Sequence, residues 1–376
     1  MGQPGQTDPL PAPTPDDVAI AAVVLPPRGG RDGSNDVGLP AEFHECQAMK
    51  EAEALAVWGN LQWCLTPAEA LEYWRGDAYE QRQLFLARIA GEPAGLCSVT
   101  LPLRENVATA GIDVLVVPRW RRRGVGRSLL KHAEAVAWTR GRTSLDSFHE
   151  VPLSALPGEG RVVAAKSGAG VLPLDDPATA FAVAAGYELE QVKRSSRLAV
   201  PVPEDLLTGL ATDARALSGD YVLTAWDEHC PEELVAAYAG LRARMSTDAP
   251  TAGMDWERED WDVARVRDDE QRQVRSGVQS CVATALYRPT GELVAYTVLA
   301  WRPQLPESLV QQDTLVAGGH RGHRLGMLIK AANLRRVQDR WPSARSVLTW
   351  NASENQHMLA INTALGFRPA GYEGEW

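Results

Sequence analysis

The chain is laid out twice. Residues Gly111–Gly126 (GIDVLVVPRWRRRGVG) align without a gap on Gln311–Gly326 (QQDTLVAGGHRGHRLG), pairing Asp113 with Asp313, Leu115 with Leu315, Val116 with Val316, Arg121 with Arg321 and Gly126 with Gly326. Every pair is 200 residues apart. A repeat decides the architecture before any single motif does, and this one means two copies of one domain. The length of 376 residues is enough for two ordinary cores.

The surroundings of the two segments agree. Upstream lies a strand, a turn and a strand: Leu84–Ile89, Gly91-Glu92-Pro93 and Ala94–Leu103, then Val282–Tyr287, Pro289-Thr290-Gly291 and Glu292–Trp301. Downstream comes a helix, with Leu129, Leu130, Ala133, Val136 and Ala137 at helical spacing in the first half and good helix formers over Met327–Gln338 in the second. Each half closes on a helix running into a Gly-aromatic step, Gly186-Tyr187 and Gly366-Phe367. Between the Gly-containing turn and that step the first half has about twenty more residues, which the Gly/Pro/Ser-rich stretch Ser154–Leu172 supplies as a surface excursion. The expected boundaries are a Pro-rich disordered tail over 1–15, a first domain over 16–205, a linker over 206–218 and a second domain over 219–376.

Composition narrows the function classes. Thirty-eight basic against 48 acidic residues leave a net charge of −10, which repels a nucleic-acid backbone. Five scattered cysteines, Cys46, Cys64, Cys97, Cys230 and Cys281, form no C-x-x-C pair and cannot all pair with one another, so reduced thiols in a cytoplasm are expected. The apolar run Val18–Leu25 follows Asp16 and Asp17 and is too short for a signal peptide or a membrane helix.

The repeated segment carries the chemistry. An apolar strand stops at Pro118, Arg119, Arg121, Arg122 and Arg123 crowd the turn, and Gly124-Val125-Gly126 opens a helix. Glycines allow a tight turn with N–H groups facing outward, and a helix start adds unpaired donors and the positive end of the dipole. The plain alternative is a solvated basic turn. The same arrangement in both halves favours a phosphate cradle, and the arginines suit more than one phosphate.

These residues resemble the pyrophosphate loop Q/R-x-x-G-x-G/A of the GNAT acetyltransferase superfamily. Arg121-Arg122-Arg123-Gly124-Val125-Gly126 fits in full, whereas Arg321-Gly322-His323-Arg324-Leu325-Gly326 has Arg324 where the family has Gly. The family's N-x-x-A-x-x-x-Y-x-x-x-G-F pattern is matched at Asn355, Gly366 and Phe367 but holds Met358 and Asn362. In the first half the same register reads Asp175, Ala178, Ala182, Gly186 and Tyr187, so the family's acidic Tyr is absent from both halves. The second half also looks like tandem acetyltransferases of high-GC bacteria. The resemblance covers the chain from about residue 18. It implies an α+β fold of two tandem GNAT domains, each a twisted, mixed but mostly antiparallel sheet flanked by helices.

It further implies that acetyl-CoA is the co-substrate. The loop residues Arg121, Arg122, Arg123, Gly124, Val125, Gly126 and Arg127, and Arg321, Gly322, His323, Arg324, Leu325 and Gly326, would hold its pyrophosphate. The strand segments Leu115, Val116, Val117 and Leu315, Val316, Ala317 would hold the thioester through N–H groups, and Asn355 would position the pantetheine arm together with Asn362. Asp313, Asn362 and Asp113 are the catalytic candidates. Attack by an amine needs its neutral form, so a carboxylate relay such as Asp313 is plausible chemistry, although a carboxylate repeated in both halves equally suits a structural pair. His320 and His323 have no companion at ligand spacing, so no metal is expected. Trp58, Trp63, Trp74, Trp256 and Trp261 fall in regions expected to be helical over the acceptor site. The acidic stretch Asp248–Asp262 reads as a solvated helix face or as a rim for a cationic acceptor.

Two functions follow. One is direct acyl transfer from acyl-CoA to a primary amine of a small molecule, in a monomer or homodimer that needs neither nucleic acid nor membrane. The other is a CoA-binding tandem protein in which at least one half is a non-catalytic sensor or scaffold.

Overall fold

The computed structural model describes residues 17–28, 39–155, 160–248, 250–254 and 256–376. The tail expected over 1–15 lies outside them. The chain divides into two compact units.

The first unit is built around a five-stranded sheet in the order β1-β2-β3-β4-β5. Its elements are β1 (Ala19–Ala22), α1 (Ala41–Trp58) as far as Ala52, β2 (Glu80–Ile89), β3 (Glu92–Pro102), β4 (Thr109–Val116), α3 (Val125–Thr139) and β5 (Ser144–Asp146), while the end of α1 and nearly all of α2 (Pro67–Trp74) belong to the second unit. Strands β2 and β3 join through Ala90 and Gly91, both at positive φ, the two-residue turn whose twist matches the strands it links. Helix α3 repeats Val125, Leu129, Ala133 and Ala137 every four residues and buries that stripe against Ala94, Val99 and Ile112. That contact fixes the helix start beside the end of β4.

The second unit carries β6 (Phe148–Pro152), β7 (Val162–Ala164), β8 (Val171–Pro173), α4 (Pro177–Ala185), β9 (Gln191–Ala199), α5 (Glu204–Arg215), β10 (Tyr221–Asp227), α6 (Glu232–Asp248) and α7 (Val263–Arg275). It continues through β11 (Gln279–Tyr287), β12 (Glu292–Trp301), β13 (Ser308–Val316), α8 (Leu325–Arg340), β14 (Ser346–Ala352), α9 (Gln356–Leu365) and β15 (Arg368–Glu375). Its eight-stranded sheet runs β10-β11-β12-β13-β14-β9-β15-β6, antiparallel except for the parallel pair β13–β14. Helix α8 covers one face over β11–β13, and α6 covers the other over β12 and β13.

Three features depart from the sequence reading. Strand β9, expected to close the first domain, pairs with β14 from Ser346↔Ala199 to Ala352↔Lys193 and sits between it and β15. Leu198 is buried there with Val347, Leu365 and Phe367, which ties residues 146 onward to the second unit. The expected linker falls largely in α5, whose Leu207 and Ala214 are buried in the same core as α8. In the excursion over Ser154–Leu172, β7 and β8 pair, and Leu172 is buried with Val151, Leu189 and Trp376. The excursion therefore contributes to a core that composition alone could not show. Among the described residues, no helix is long and apolar enough to cross a membrane.

Candidate active site

The two repeated loops have one backbone. Each leaves its strand through a single 3-10 turn, Pro118–Trp120 or Gly318–His320, with Trp120 N–H bonded to Val117 C=O and His320 N–H to Ala317 C=O, both at 2.8 Å. Arg121 Nε donates to the Val116 carbonyl at 3.1 Å, and Arg321 Nε to the Val316 carbonyl at 3.2 Å. Two positions in each loop are left-handed: Arg122 (φ 61°) and Gly124 (86°), then Gly322 (88°) and Arg324 (54°). The glycine has changed places while the conformation is kept. The departure at Arg324 therefore leaves the cradle intact. The first helical bonds run from Ser128 N–H to Gly124 and from Leu328 N–H to Arg324, so the amides of residues 125–127 and 325–327 form the donor-rich helix start. A side chain built at Gly322 would meet nothing within 4 Å, which leaves room for an anion.

Beside each loop the neighbouring strand gives way. Thr143 and Ser144 donate to the Ala108 carbonyl, where the β4–β5 contact begins. The β13–β14 pairing runs Ser308↔Ser346, Leu309↔Val347 and Val310↔Leu348 and stops, although both strands continue. The stretch Gln312–Val316 therefore has no ladder partner on the β14 side. The amides of Val117 and Ala317 donate back to Ala94 and Val294 at 3.0 and 2.9 Å, so they are not available to a thioester as the sequence reading had it. Antiparallel pairs alternate in direction. By that alternation Leu115 and Leu315 also point their amides into the ladder, and Val116 and Val316 point theirs outward to the open side.

The halves differ at one point of register. In β12–β13, Thr297 faces Thr314 and Leu299 faces Gln311, so Gln312 and Asp313 together oppose Val298 in a bulge. In β3–β4, Ser98 faces Asp113 in an unbroken ladder. Asp313 accepts from Tyr296 Oη at 3.2 Å and lies 3.7 Å from Arg242 Nε. Arg242 sits 4.0 Å over the Trp261 ring and 3.4 Å from Asp269. Burial, reinforced by the Asp313 charge, pushes the Tyr296 hydroxyl well above its ordinary value, and burial pushes Tyr238 up to about 12. Asp113 is paired with Lys50 Nζ at 2.6 Å.

At the other wall, Asn355 caps α9 by accepting from Met358 N–H at 3.2 Å. Asn362 is buried and donates to Asn351 Oδ1 of β14 at 2.7 Å. His320 Nδ1 lies 3.0 Å from the Tyr221 hydroxyl, and His323 Nδ1 lies 3.2 Å from the Leu217 carbonyl, beside the second loop. Asp248 reaches Arg321 at 3.3 Å. The described part of 250–262 is irregular, not a helix face, because Pro250 and Gly253 interrupt it. Arg242, Tyr238 and Tyr296, which surround Asp313, were missed by the sequence reading. The signal available was the i, i+4 pair Tyr238–Arg242 on α6, upstream of Trp261.

Residues 54–152 match the model of the acetyltransferase (GNAT) family. A tandem GNAT protein from the clavulanic acid biosynthesis pathway superposes with a TM-score of 0.72 at 24% identity, covering 96% of this chain and 97% of that one. The chain has a tandem GNAT fold. A GCN5-related N-acetyltransferase from Sphaerobacter thermophilus is similar at a TM-score of 0.59 and 13% identity, over 96% of both chains. A glucosamine N-acetyltransferase region of a fungal multi-domain GH3 beta-N-acetylglucosaminidase is similar at 0.60 and 12%, over 96% of this chain and 38% of that one. No curated protein matches.

All five cysteines in this tandem GNAT fold are free thiols. Burial pushes Cys46, Cys97, Cys230 and Cys281 up to about 12, which makes each a poor nucleophile.

Proposed function

We propose that the chain is an acyl-CoA-dependent N-acyltransferase that moves acetyl directly from the thioester to a primary amine of a small molecule. The observation that carries this reading is the bulge at Gln312–Asp313, on the arm of β13 that no longer pairs with β14 and ends at the second loop. A bulge re-aims backbone and side chain together beside a reaction centre. The loop amides and Arg321 would hold the pyrophosphate, and the outward amide of Val316 would donate to the thioester carbonyl as it gains negative charge. Attack by the neutral amine forms the N–C bond, the C–S bond breaks, and the thiolate leaves. Asp313 would accept the amine proton, with Tyr296 and Arg242 fixing its carboxylate. The buried cysteines support transfer without an acyl-enzyme. A cytoplasmic protein fits this co-substrate.

The first half favours a second role. Its ladder has no bulge and Asp113 is held by Lys50, so we assign it acyl-CoA binding without turnover.

The test is acetyl-CoA-dependent thiol release across a panel of small primary amines. Asp313→Asn should lower turnover more at neutral pH than at high pH, where the amine deprotonates unaided, and leave acetyl-CoA affinity nearly unchanged. An acetylated cysteine that forms and decays at the turnover rate would overturn direct transfer. Absence of acetyl-CoA binding would overturn the whole reading.

A further inference from the structure

Asp313 is held by one of its two oxygens. The Tyr296 hydroxyl at 3.2 Å and Arg242 Nε at 3.7 Å both approach Oδ2. Among the described residues no hydrogen bond or ion pair reaches Oδ1, although the side chain as a whole is 35% exposed. A carboxylate fixed in this way keeps a second, accessible oxygen for an incoming proton.

What keeps Arg242 to one oxygen lies on another helix. A guanidinium beside a carboxylate favours the fork, two parallel N–H···O bonds that occupy both oxygens. Arg242 does not form it, because its Nη1 donates instead to Asp269 Oδ2 of α7 at 3.4 Å. Asp269 is itself anchored, through Oδ1 by Arg272 and through Oδ2 by Gln273 Nε2 at 3.3 Å. The guanidinium also lies 4.0 Å over the Trp261 ring, so three contacts from different parts of the second unit fix its plane. Among the described residues, the carboxylates within 4 Å of Arg242 are those of Asp269 and Asp313. A largely buried cation that loses one acceptor turns to the other, since an unmatched N–H is costly there. Without Asp269, that other acceptor is Asp313.

We propose that Asp269 is a positioning residue for the transfer: by holding Arg242 Nη1 it keeps the guanidinium off Oδ1 of Asp313, and Oδ1 is the atom that takes the amine proton. The proton passes from the attacking nitrogen to Oδ1 as the N–C bond forms, and the electron pair of the broken C–S bond leaves with the thiolate. Asp269 touches neither substrate and acts only through Arg242. The inference rests on the acyl-transfer reading of the second half.

The experiment is acetyl-CoA-dependent thiol release by the full chain at pH 7, with whichever of glucosamine, ethanolamine, lysine and butylamine is turned over fastest. Asp269→Ala, which removes the acceptor, should lower kcat about tenfold, a fraction of what a positioned proton acceptor contributes, and leave the KM for acetyl-CoA unchanged. In an Arg242→Lys background, where an ammonium cannot form the fork, the same substitution should change kcat by less than about twofold. Asp269→Asn, which keeps one acceptor oxygen, should lower kcat about threefold and takes the place of the alanine variant if that one does not fold. An unchanged kcat, an equal loss in both Arg242 backgrounds, or a loss matched by a rise in the KM for acetyl-CoA would overturn the role. A parent chain that releases no thiol with any of the four amines would overturn the acyl-transfer reading itself, and this role with it.

Discussion

Arg324 holds the left-handed conformation, φ 54°, that Gly124 holds at 86° in the other loop. A residue with a Cβ is strained there by about 1–2 kcal/mol relative to the right-handed helix, so each loop bears one strained arginine and one relaxed glycine. Gly322→Ala is expected to lower stability by about 1 kcal/mol through backbone strain alone, since its Cβ would meet nothing within 4 Å. Arg324→Gly is expected to be neutral or to stabilise by up to about 1 kcal/mol. Denaturant midpoints of the two variants decide it: equal destabilisation by both would mean that the Arg324 side chain, not the backbone, sets the loop.

Gly371 is fixed by a different constraint. A Cβ at this position of β15 would stand 2.6 Å from the Trp58 ring and 2.7 Å from the Val151 carbonyl. The carbonyl belongs to the paired strand β6 and cannot yield as a side chain can. Gly371→Ala should cost about 2–3 kcal/mol by overpacking. A thermal melt within experimental error of the parent protein would show that β15 and β6 separate easily there.

The repeat, the two loops and the order of elements were legible because they are local: periodicity, glycine position and strand–turn–helix succession need no knowledge of distant contacts. The placement of β9 was not. Val192 and Leu198 mark a half-buried strand in any sheet, and nothing in Gln191–Ala199 states which edge it will meet. The Asp313 surroundings were half legible. Its register with Asp113 follows from the sequence, but the bulge that separates the two aspartates depends on how β12 pairs, and Arg242 comes from a helix some seventy residues upstream. Arg324 was misleading in the opposite direction, since its side chain departs from the family pattern while its backbone does not.

Asp269 gives a pH-dependent prediction. Burial by itself would raise its pKa, but Arg242 and Arg272 outweigh that and hold the carboxyl below its ordinary value. A depressed folded-state value stabilises the protein above the unfolded carboxylate value of about 3.9, and the benefit is lost as pH falls through the folded value. Asp269→Asn should therefore cost about 1–3 kcal/mol at pH 7, and the difference from the parent should close in acid. Urea unfolding at pH 7 and pH 3 measures it. A gap that persists undiminished at pH 3 would mean that Asp269 acts through packing and not through its charge.

Lys330 has the opposite sign. Burial alone pushes its amine down to about 7, with no carboxylate against it among the described residues. In the unfolded chain a lysine holds its proton to about pH 10.4, so between pH 7 and that value the unfolded state binds more protons and stability contributed by this site rises with pH. Below pH 7 the folded protein carries the full penalty of a buried ammonium. Replacing it by Met removes that penalty while keeping an unbranched apolar stem. Lys330→Met is expected to be more stable than the parent by on the order of 3 kcal/mol at pH 6, with the gain shrinking steadily toward pH 10. Guanidinium unfolding at pH 6, 8 and 10 reads the slope. A variant that is destabilised equally at all three values would show that Lys330 finds a partner within the protein.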